Sequence, residues 1–367
     1  MKLLIVAGTR PEIIKLAPLA LRARSMSGLT VDLILTGQHE AMAREAMAIF
    51  GLEASANLQI MRPNQTLDHV FAAVMTALPP ILEERRPDVL VVQGDTTSAV
   101  AAALSAFHAK IPVAHVEAGL RTQDLQAPFP EEANRRLLGI VTTFHFCPTE
   151  SAAANLRNEN VPESCLHVPG NTIVDAVMMI RERYALDDLR SIQPDIRAPY
   201  VLVTAHRRES FGEGFRNICT ALRSCALAHP NLQFIYPVHL NPHVRTPVHE
   251  MLGGLRNILL IPPVSYLALL TLLNGAEFVV TDSGGIQEEA PSFGKHCIVM
   301  RERTERMESV DAGLSELVGT NVEAITNAVS RAAREGTRHP GVVNPYGDGH
   351  ASERIRRILS EANTARV

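Results

Sequence analysis

The chain alternates short apolar runs with longer half-polar stretches, in the rhythm of strand followed by helix. In the first half the apolar runs occupy residues 3–6, 31–36, 89–92, 113–116 and 144–147. They are continuous rather than alternating, as in parallel strands covered on both faces. Each leads through a loop bearing Gly, Thr or His into an Ala/Leu-rich stretch of helical length, such as 67–84 and 97–108. This spacing predicts a doubly wound parallel sheet, whose ligands sit beyond the carboxyl ends of the strands. The rhythm pauses at Pro169-Gly170-Asn171-Thr172. After a charged, proline-containing stretch at 187–199 it restarts with runs at 200–204, 232–236, 258–261, 278–281 and 297–300. The pattern therefore predicts two Rossmann-like α/β domains facing a cleft. The expected boundaries are 1–170 for the first domain and 171–350 for the second. Residues 351–367 are expected to form a C-terminal helix that packs back on the first domain.

A length of 367 residues with 46% hydrophobic residues lets each half bury its own core. The net charge of -4 argues against a dedicated binder of nucleic acid or of anionic membrane, because both need a basic surface. The five cysteines, Cys147, Cys165, Cys219, Cys225 and Cys297, form no CxxC pair, so they read as reduced, mostly buried thiols rather than a disulfide framework or zinc site. The opening apolar run is too short for a signal sequence, and none reaches membrane-spanning length, so the expected location is cytoplasmic.

Candidate chemistry gathers where strands end. The first strand runs into Gly8-Thr9-Arg10-Pro11-Glu12-Ile13-Ile14-Lys15 without a GxGxxG, which speaks against a nicotinamide site. The helix start there, with Arg10 and Lys15, suits an anion. Asp95 follows the third run and Glu117 the fourth, so two adjacent strands each end in a carboxylate. Asp95 also reads as a simple helix cap. Pro130-Glu131-Glu132 has the look of a helix first turn, which accounts for Glu132 without function. Several acids and a lysine on one rim point to charge that is used. In the second half His206 stands in a polar strand-end loop. Asp282-Ser283-Gly284-Gly285 leads into a helix that carries Glu289 one turn in. Open backbone N–H groups there suit a diphosphate and the carboxylate a ribose diol. Arg306 is a further cation beyond the next strand.

Taken together, these motifs resemble the non-hydrolysing UDP-N-acetylglucosamine 2-epimerases along nearly the whole chain. The likeness runs from Gly8-Thr-Arg-Pro-Glu-Ile-Ile-Lys15 through Gly94-Asp-Thr-Thr97, Val113-Ala-His-Val-Glu-Ala-Gly-Leu-Arg121 and Pro130-Glu-Glu132. It continues through His206-Arg-Arg-Glu-Ser-Phe-Gly212, Asp282-Ser-Gly-Gly-Ile-Gln-Glu-Glu-Ala-Pro-Ser292 and Asn344-Pro-Tyr-Gly-Asp-Gly349. The resemblance implies a glycosyltransferase-B-like pair of domains, a homodimer, and interconversion of UDP-N-acetylglucosamine and UDP-N-acetylmannosamine without cofactor or metal. It implies Asp95, Glu117 and Glu131 as acid/base groups, with His206, Arg10 and Lys15 near the diphosphate. Ser283, Gly284, Gly285, Glu289 and Arg306 are implied as the hold on UDP. Which carboxylate serves which face of C2 is left open, as is the polysaccharide pathway that the product feeds.

The chain departs from the family's Gln-His-Arg by reading Gln38-His39-Glu40, and Glu45 replaces a later glutamine. In bacterial relatives this region contributes to a second, activating UDP-sugar site. Two acids would repel a diphosphate, so weakened allosteric activation is expected. Thr304-Glu305-Arg306-Met307 and Gly294-Lys295-His296 also replace family prolines, which bears on the uridine side. Competing readings are a hydrolysing epimerase, a UDP-sugar glycosyltransferase and a non-catalytic UDP-sugar sensor.

Overall fold

The apolar runs become two wholly parallel sheets in the computed structural model of the protein. It describes the chain except for Ser27, His39, Asn64, residues 337–342 and 365–367, and the side chains of Glu40, Asn363 and Thr364. The first sheet contains β1 (Lys2–Ala7), β2 (Thr30–Leu35), β3 (Ala56–Asn57), β4 (Val89–Gln93), β5 (Val113–Val116), β6 (Phe144–Phe146) and β7 (Leu166–His167). Their order is β3-β2-β1-β4-β5-β6-β7. The second contains β8 (Tyr200–Thr204), β9 (Gln233–Pro237), β10 (Ile258–Ile261), β11 (Val279–Thr281), β12 (Cys297–Val299) and β13 (Ser315–Leu317), in the order β10-β9-β8-β11-β12-β13. The strands foreseen from apolar runs are all present. The additional β3, β7 and β13 are two- or three-residue strands near or at the sheet edges.

The division of the chain differs from the expected one. One unit comprises Met1–Ile180 with Tyr346–Val367, and the other Arg181–Pro345. The chain therefore passes between units inside the helix Thr172–Arg183, not at residue 170. The reason lies in that helix: Ile173, Val174, Val177 and Ile180 are buried. Its Asp175 carboxylate also accepts the backbone N–H groups of Ala351 (3.1 Å) and Ser352 (2.8 Å), which start the C-terminal helix Ala351–Thr364. Residues 171–180 and 346–350 thus belong with the first unit.

Each core is built as the pattern requires. In the first unit, Leu4, Val6, Leu90 and Val92 meet Val70, Val74, Leu78 and Leu82, a four-residue stripe along the helix Leu67–Arg85. In the second, Val201, Val203, Phe234, Tyr236 and Val280 meet Phe215, Ile218 and Leu222 of the helix Glu213–Ala228. Each such side chain contributes about 1.5–3 kcal/mol of burial. All five cysteines are free thiols; four are buried, with Cys147 and Cys297 pushed up to about 12 by burial. Among the described residues, no helix is long and apolar enough to cross a membrane.

Strand order fixes where ligands bind. It reverses between β1 and β4 in the first sheet and between β8 and β11 in the second. The loops at the carboxyl ends of those pairs diverge and leave a crevice, the usual ligand position in doubly wound sheets.

Candidate active site

At the β1/β4 crevice, Thr9 leads into the helix Arg10–Arg24, whose first turn is organised by Glu12. This buried carboxylate accepts the backbone N–H groups of Gly8 (2.9 Å) and Thr9 (2.6 Å) through Oε2. Its Oε1 accepts the hydroxyl of Thr96 (2.7 Å) from the loop after β4. Burial raises the Glu12 pKa, and these donors oppose the rise. Glu12 was not among the expected functional residues, although the Thr-x-x-Glu spacing marks it as a helix-start residue. One turn on, Lys15 is buried and its Nζ donates to Glu117 Oε2. Glu117 holds a left-handed backbone, φ 68°, which a side chain other than Gly's adopts only at a cost. Arg10 is half-buried at the start of the helix, and among the described residues nothing pairs with its guanidinium.

Asp95 follows β4 and is held from the helix Glu131–Val141. Arg135 donates to Asp95 Oδ2 from both Nε (2.9 Å) and Nη2 (2.8 Å), and the Asn134 amide donates to the Asp95 carbonyl (2.8 Å). Asp95 keeps 24% of its side-chain surface exposed. Glu131 is the first residue of that same helix and is half-buried. The structural reading of Glu132 is the one the structure supports. It is fully buried and accepts the backbone N–H of Thr122 at 2.9 Å and of Gln123 at 3.3 Å. His115 donates Nε2–H to the Gly94 carbonyl (2.7 Å), because a carbonyl only accepts. Burial holds its pKa down to about 4. Arg135 and His115, both missed in the sequence, are positioning groups whose partners lie 40 and 21 residues away.

At the β8/β11 crevice the central acid is Asp282, which is fully buried. Its Oδ2 accepts the N–H groups of His206 (2.7 Å) and Arg207 (2.8 Å), so it ties the loop after β8 to the end of β11. The His206 ring, 42% exposed, stacks on His239 with centroids 5.6 Å apart. The protein around it lowers its pKa; Asp282 pulls the other way, and Arg207 and His239 add to the lowering.

Beyond Asp282, Ser283 precedes the short helix Gly284–Glu289. The two glycines serve different needs. A Cβ on Gly284 would lie 2.6 Å from Arg306 Cζ, whereas one on Gly285 would meet nothing closer than 3.9 Å. Gly284 is therefore dictated by the arginine packed against it, while Gly285 leaves its backbone approachable. Arg306 is buried, with Nε donating to Glu288 Oε1 (2.8 Å) and Nη1 paired with Glu305 Oε1 (2.6 Å). Arg301 bridges Glu209 and Glu305. Burial and the charges of Arg301 and Arg306 push Arg207 below the ordinary arginine value, and Glu305 and Glu209 oppose the fall. Glu289 is buried and accepts the hydroxyl of Tyr266 (2.9 Å). The structure thus pairs Lys15 with Glu117, sets Arg10 at the start of the Lys15 helix and Glu131 at the start of the helix that holds Asp95, and gathers His206, Ser283, Gly284, Gly285 and Arg306 around Asp282, with Glu289 one turn further.

Sequence comparison decides the family. A profile described as UDP-N-acetylglucosamine 2-epimerase matches residues 21–360. The chain belongs to the UDP-N-acetylglucosamine 2-epimerase family. The enzyme of that name from Yersinia pestis is 47% identical over 369 residues, covering 98% of each chain. A crystal structure of UDP-GlcNAc 2-epimerase from Neisseria meningitidis bound to UDP-GlcNAc superposes with a TM-score of 0.91 at 39% identity, covering 98% of this chain and 100% of that one. The Methanocaldococcus jannaschii enzyme in complex with UDP-GlcNAc and UDP gives 0.85 at 36%, with coverage of 98% and 100%. These epimerases have the glycosyltransferase-B-like fold, which the family resemblance implied for the two parallel-sheet domains read from the strand pattern. Of the 2-epimerase family departures, Glu45 is half-buried on the helix Glu40–Phe50. His39 and the Glu40 side chain lie outside the described residues.

Proposed function

We propose that the protein interconverts UDP-N-acetylglucosamine and UDP-N-acetylmannosamine by elimination and re-addition of UDP, without hydrolysis. The observation that carries this is the separation of chemistries between the two crevices. One gathers Asp95, Glu117 and Glu131 with Lys15 and Arg135. The other offers an open Gly285 backbone next to Gly284, against which Arg306 packs.

The C2 proton of the sugar is not acidic, since no carbonyl adjoins C2, so the departure of UDP drives its removal. A carboxylate of the first crevice takes the proton. The C2–H electrons form the C1–C2 double bond, and the C1–O bond breaks to release UDP. Amides at the start of the helix Gly284–Glu289, together with the Arg207 guanidinium, stabilise the leaving diphosphate. Glu289 binds the ribose, and His206, Arg10 and Lys15 approach the diphosphate. The intermediate is a 2-acetamidoglucal. UDP adds back at C1 while a second acid group protonates C2 from the opposite face. We also infer a rate that depends hyperbolically on UDP-N-acetylglucosamine, because Glu40 and Glu45 disfavour a second diphosphate.

Incubation with UDP-N-acetylglucosamine in heavy water tests the reaction. Deuterium at C2 together with UDP-N-acetylmannosamine is expected. Free N-acetylmannosamine would indicate hydrolysis instead, and absence of isotope uptake defeats both.

A further inference from the structure

The Asp282 carboxylate is only half used by the backbone. Oδ2 takes two N–H groups, whereas Oδ1, buried, has no hydrogen bond among the described residues. It faces Nδ1 of His206 at 3.6 Å. A buried carboxylate oxygen without a donor is costly, so the group set opposite it is informative. We propose that Asp282 is the positioning residue of His206: it holds the ring hydrogen on Nδ1, leaves Nε2 open, and stabilises a second ring proton when an anion docks. This rests on the reading of the second unit as the half that grips UDP.

The surroundings of the ring support a switch in charge over a fixed one. Burial opposes a proton on His206, Asp282 favours one, and Arg207 and the stacked His239 add to the opposition. Without ligand the opposing groups prevail. A diphosphate adds negative charge on the open side, and a solvent proton then moves to Nε2. The positive charge appears where UDP is held and is absent from the empty site. A purely structural Asp282 would need only to accept two N–H groups, which asparagine does equally well. The amide nitrogen of asparagine, however, would donate to Nδ1 and move the ring hydrogen to Nε2. Asp282→Asn therefore separates the two roles.

The test is nitrogen-15 NMR of histidine-labelled full-length protein, with the His206 signals identified by their loss in His206→Asn. Expected in the wild type is the Nδ1–H tautomer, with an apparent pKa that UDP raises by about one unit. Asp282→Asn should show the Nε2–H tautomer, no UDP-induced rise, and, at a pH below both wild-type titrations, UDP binding weakened roughly tenfold, as one pKa unit of coupling requires. An Nε2–H tautomer in the wild type, or identical titrations in both proteins, overturns the proposal. If the variant fails to fold, the wild-type tautomer and its response to UDP decide alone. Wild-type protein that binds UDP with no change at His206 sinks this inference only. Failure to bind UDP at all overturns the reading of the second unit and this inference with it.

Discussion

The two crevices are built on the same device used in opposite senses. In the first unit a buried acid from the β1 side, Glu12, fastens its own loop and reaches across to Thr96 after β4. In the second a buried acid from the β11 side, Asp282, reaches back to the loop after β8. Glu12 receives three donors that span both oxygens. Asp282 keeps one oxygen that has no hydrogen bond among the described residues and faces a titratable ring. A saturated acid can only hold a loop in place, whereas an acid with an oxygen in reserve can respond to what arrives. The comparison teaches that the first unit's loops are fixed by a saturated acid, while the second keeps an acceptor in reserve, as the proposed charge response of His206 requires.

The sharpest way to break this division is to remove chemistry from one unit and grip from the other. Asp95→Asn should abolish deuterium uptake at C2, at least about 10³-fold, while UDP affinity changes less than about threefold. Glu289→Ala should do the reverse, weakening UDP about tenfold or more and leaving measurable isotope exchange at saturating substrate. Parallel isotope-exchange and calorimetric titrations of the two variants would show it. The same loss pattern in both would mean that the two crevices do not divide the work.

The next effect concerns Glu12. Glu12→Ala strands two buried N–H groups and should lower stability by about 2–4 kcal/mol in urea unfolding. Glu12→Gln keeps an oxygen for both N–H groups, and Thr96 can turn its hydroxyl to Ser98, 3.0 Å away, so about 1 kcal/mol is expected. Equal losses would show that Glu12 holds the loop by charge and not by hydrogen bonding. Gly284→Ala should weaken UDP binding by about 10- to 30-fold, because the added methyl displaces Arg306, and Gly285→Ala should weaken it by a similar factor, because its methyl stands on the open backbone that receives the diphosphate.

Much of this was legible before any coordinates, and the reason is local. Continuous apolar runs announce parallel strands, and a carboxylate at the end of such a run lies at the ligand edge whatever its neighbours do. That logic placed Asp95, Glu117 and the Ser283-Gly284-Gly285 turn at the carboxyl ends of strands, where the structure has them. It missed β3, β7 and β13, which are too short and too mixed to form a run. It also missed groups whose meaning depends on distant partners. Asp282 was noticed only as the residue before Ser283, because the amides it binds lie 75 and 76 residues earlier. The domain boundary was misplaced for the same reason: residues 171–180 are held by burial and by Asp175, whose partners come 176 and 177 residues later.

The smallest predicted effect extends the comparison to acid stability. In the first unit His115 and His145 are buried, and burial lowers their pKa values to about 4 and about 3. In an unfolded chain both titrate near 6.5. Between these limits the unfolded chain binds more protons, so stability is full at high pH and is lost as pH falls from about 6.5 towards 4. From pH 7 to 5.5 each histidine should remove about 1 kcal/mol. Glu12 and Asp175, whose pKa values burial raises, act with the opposite sign, because the folded state takes up their protons first. They are common to any pair of variants differing only at a histidine, so they cancel in the difference. His145→Phe keeps a ring and removes the titration. Its urea midpoint should therefore fall less than the wild type's on acidification, by about 1 kcal/mol between pH 7 and 5.5. Hydrogen exchange at pH 5.5 should show the first unit opening before the second. Curves that stay parallel would mean that the buried histidines do not set the acid limit.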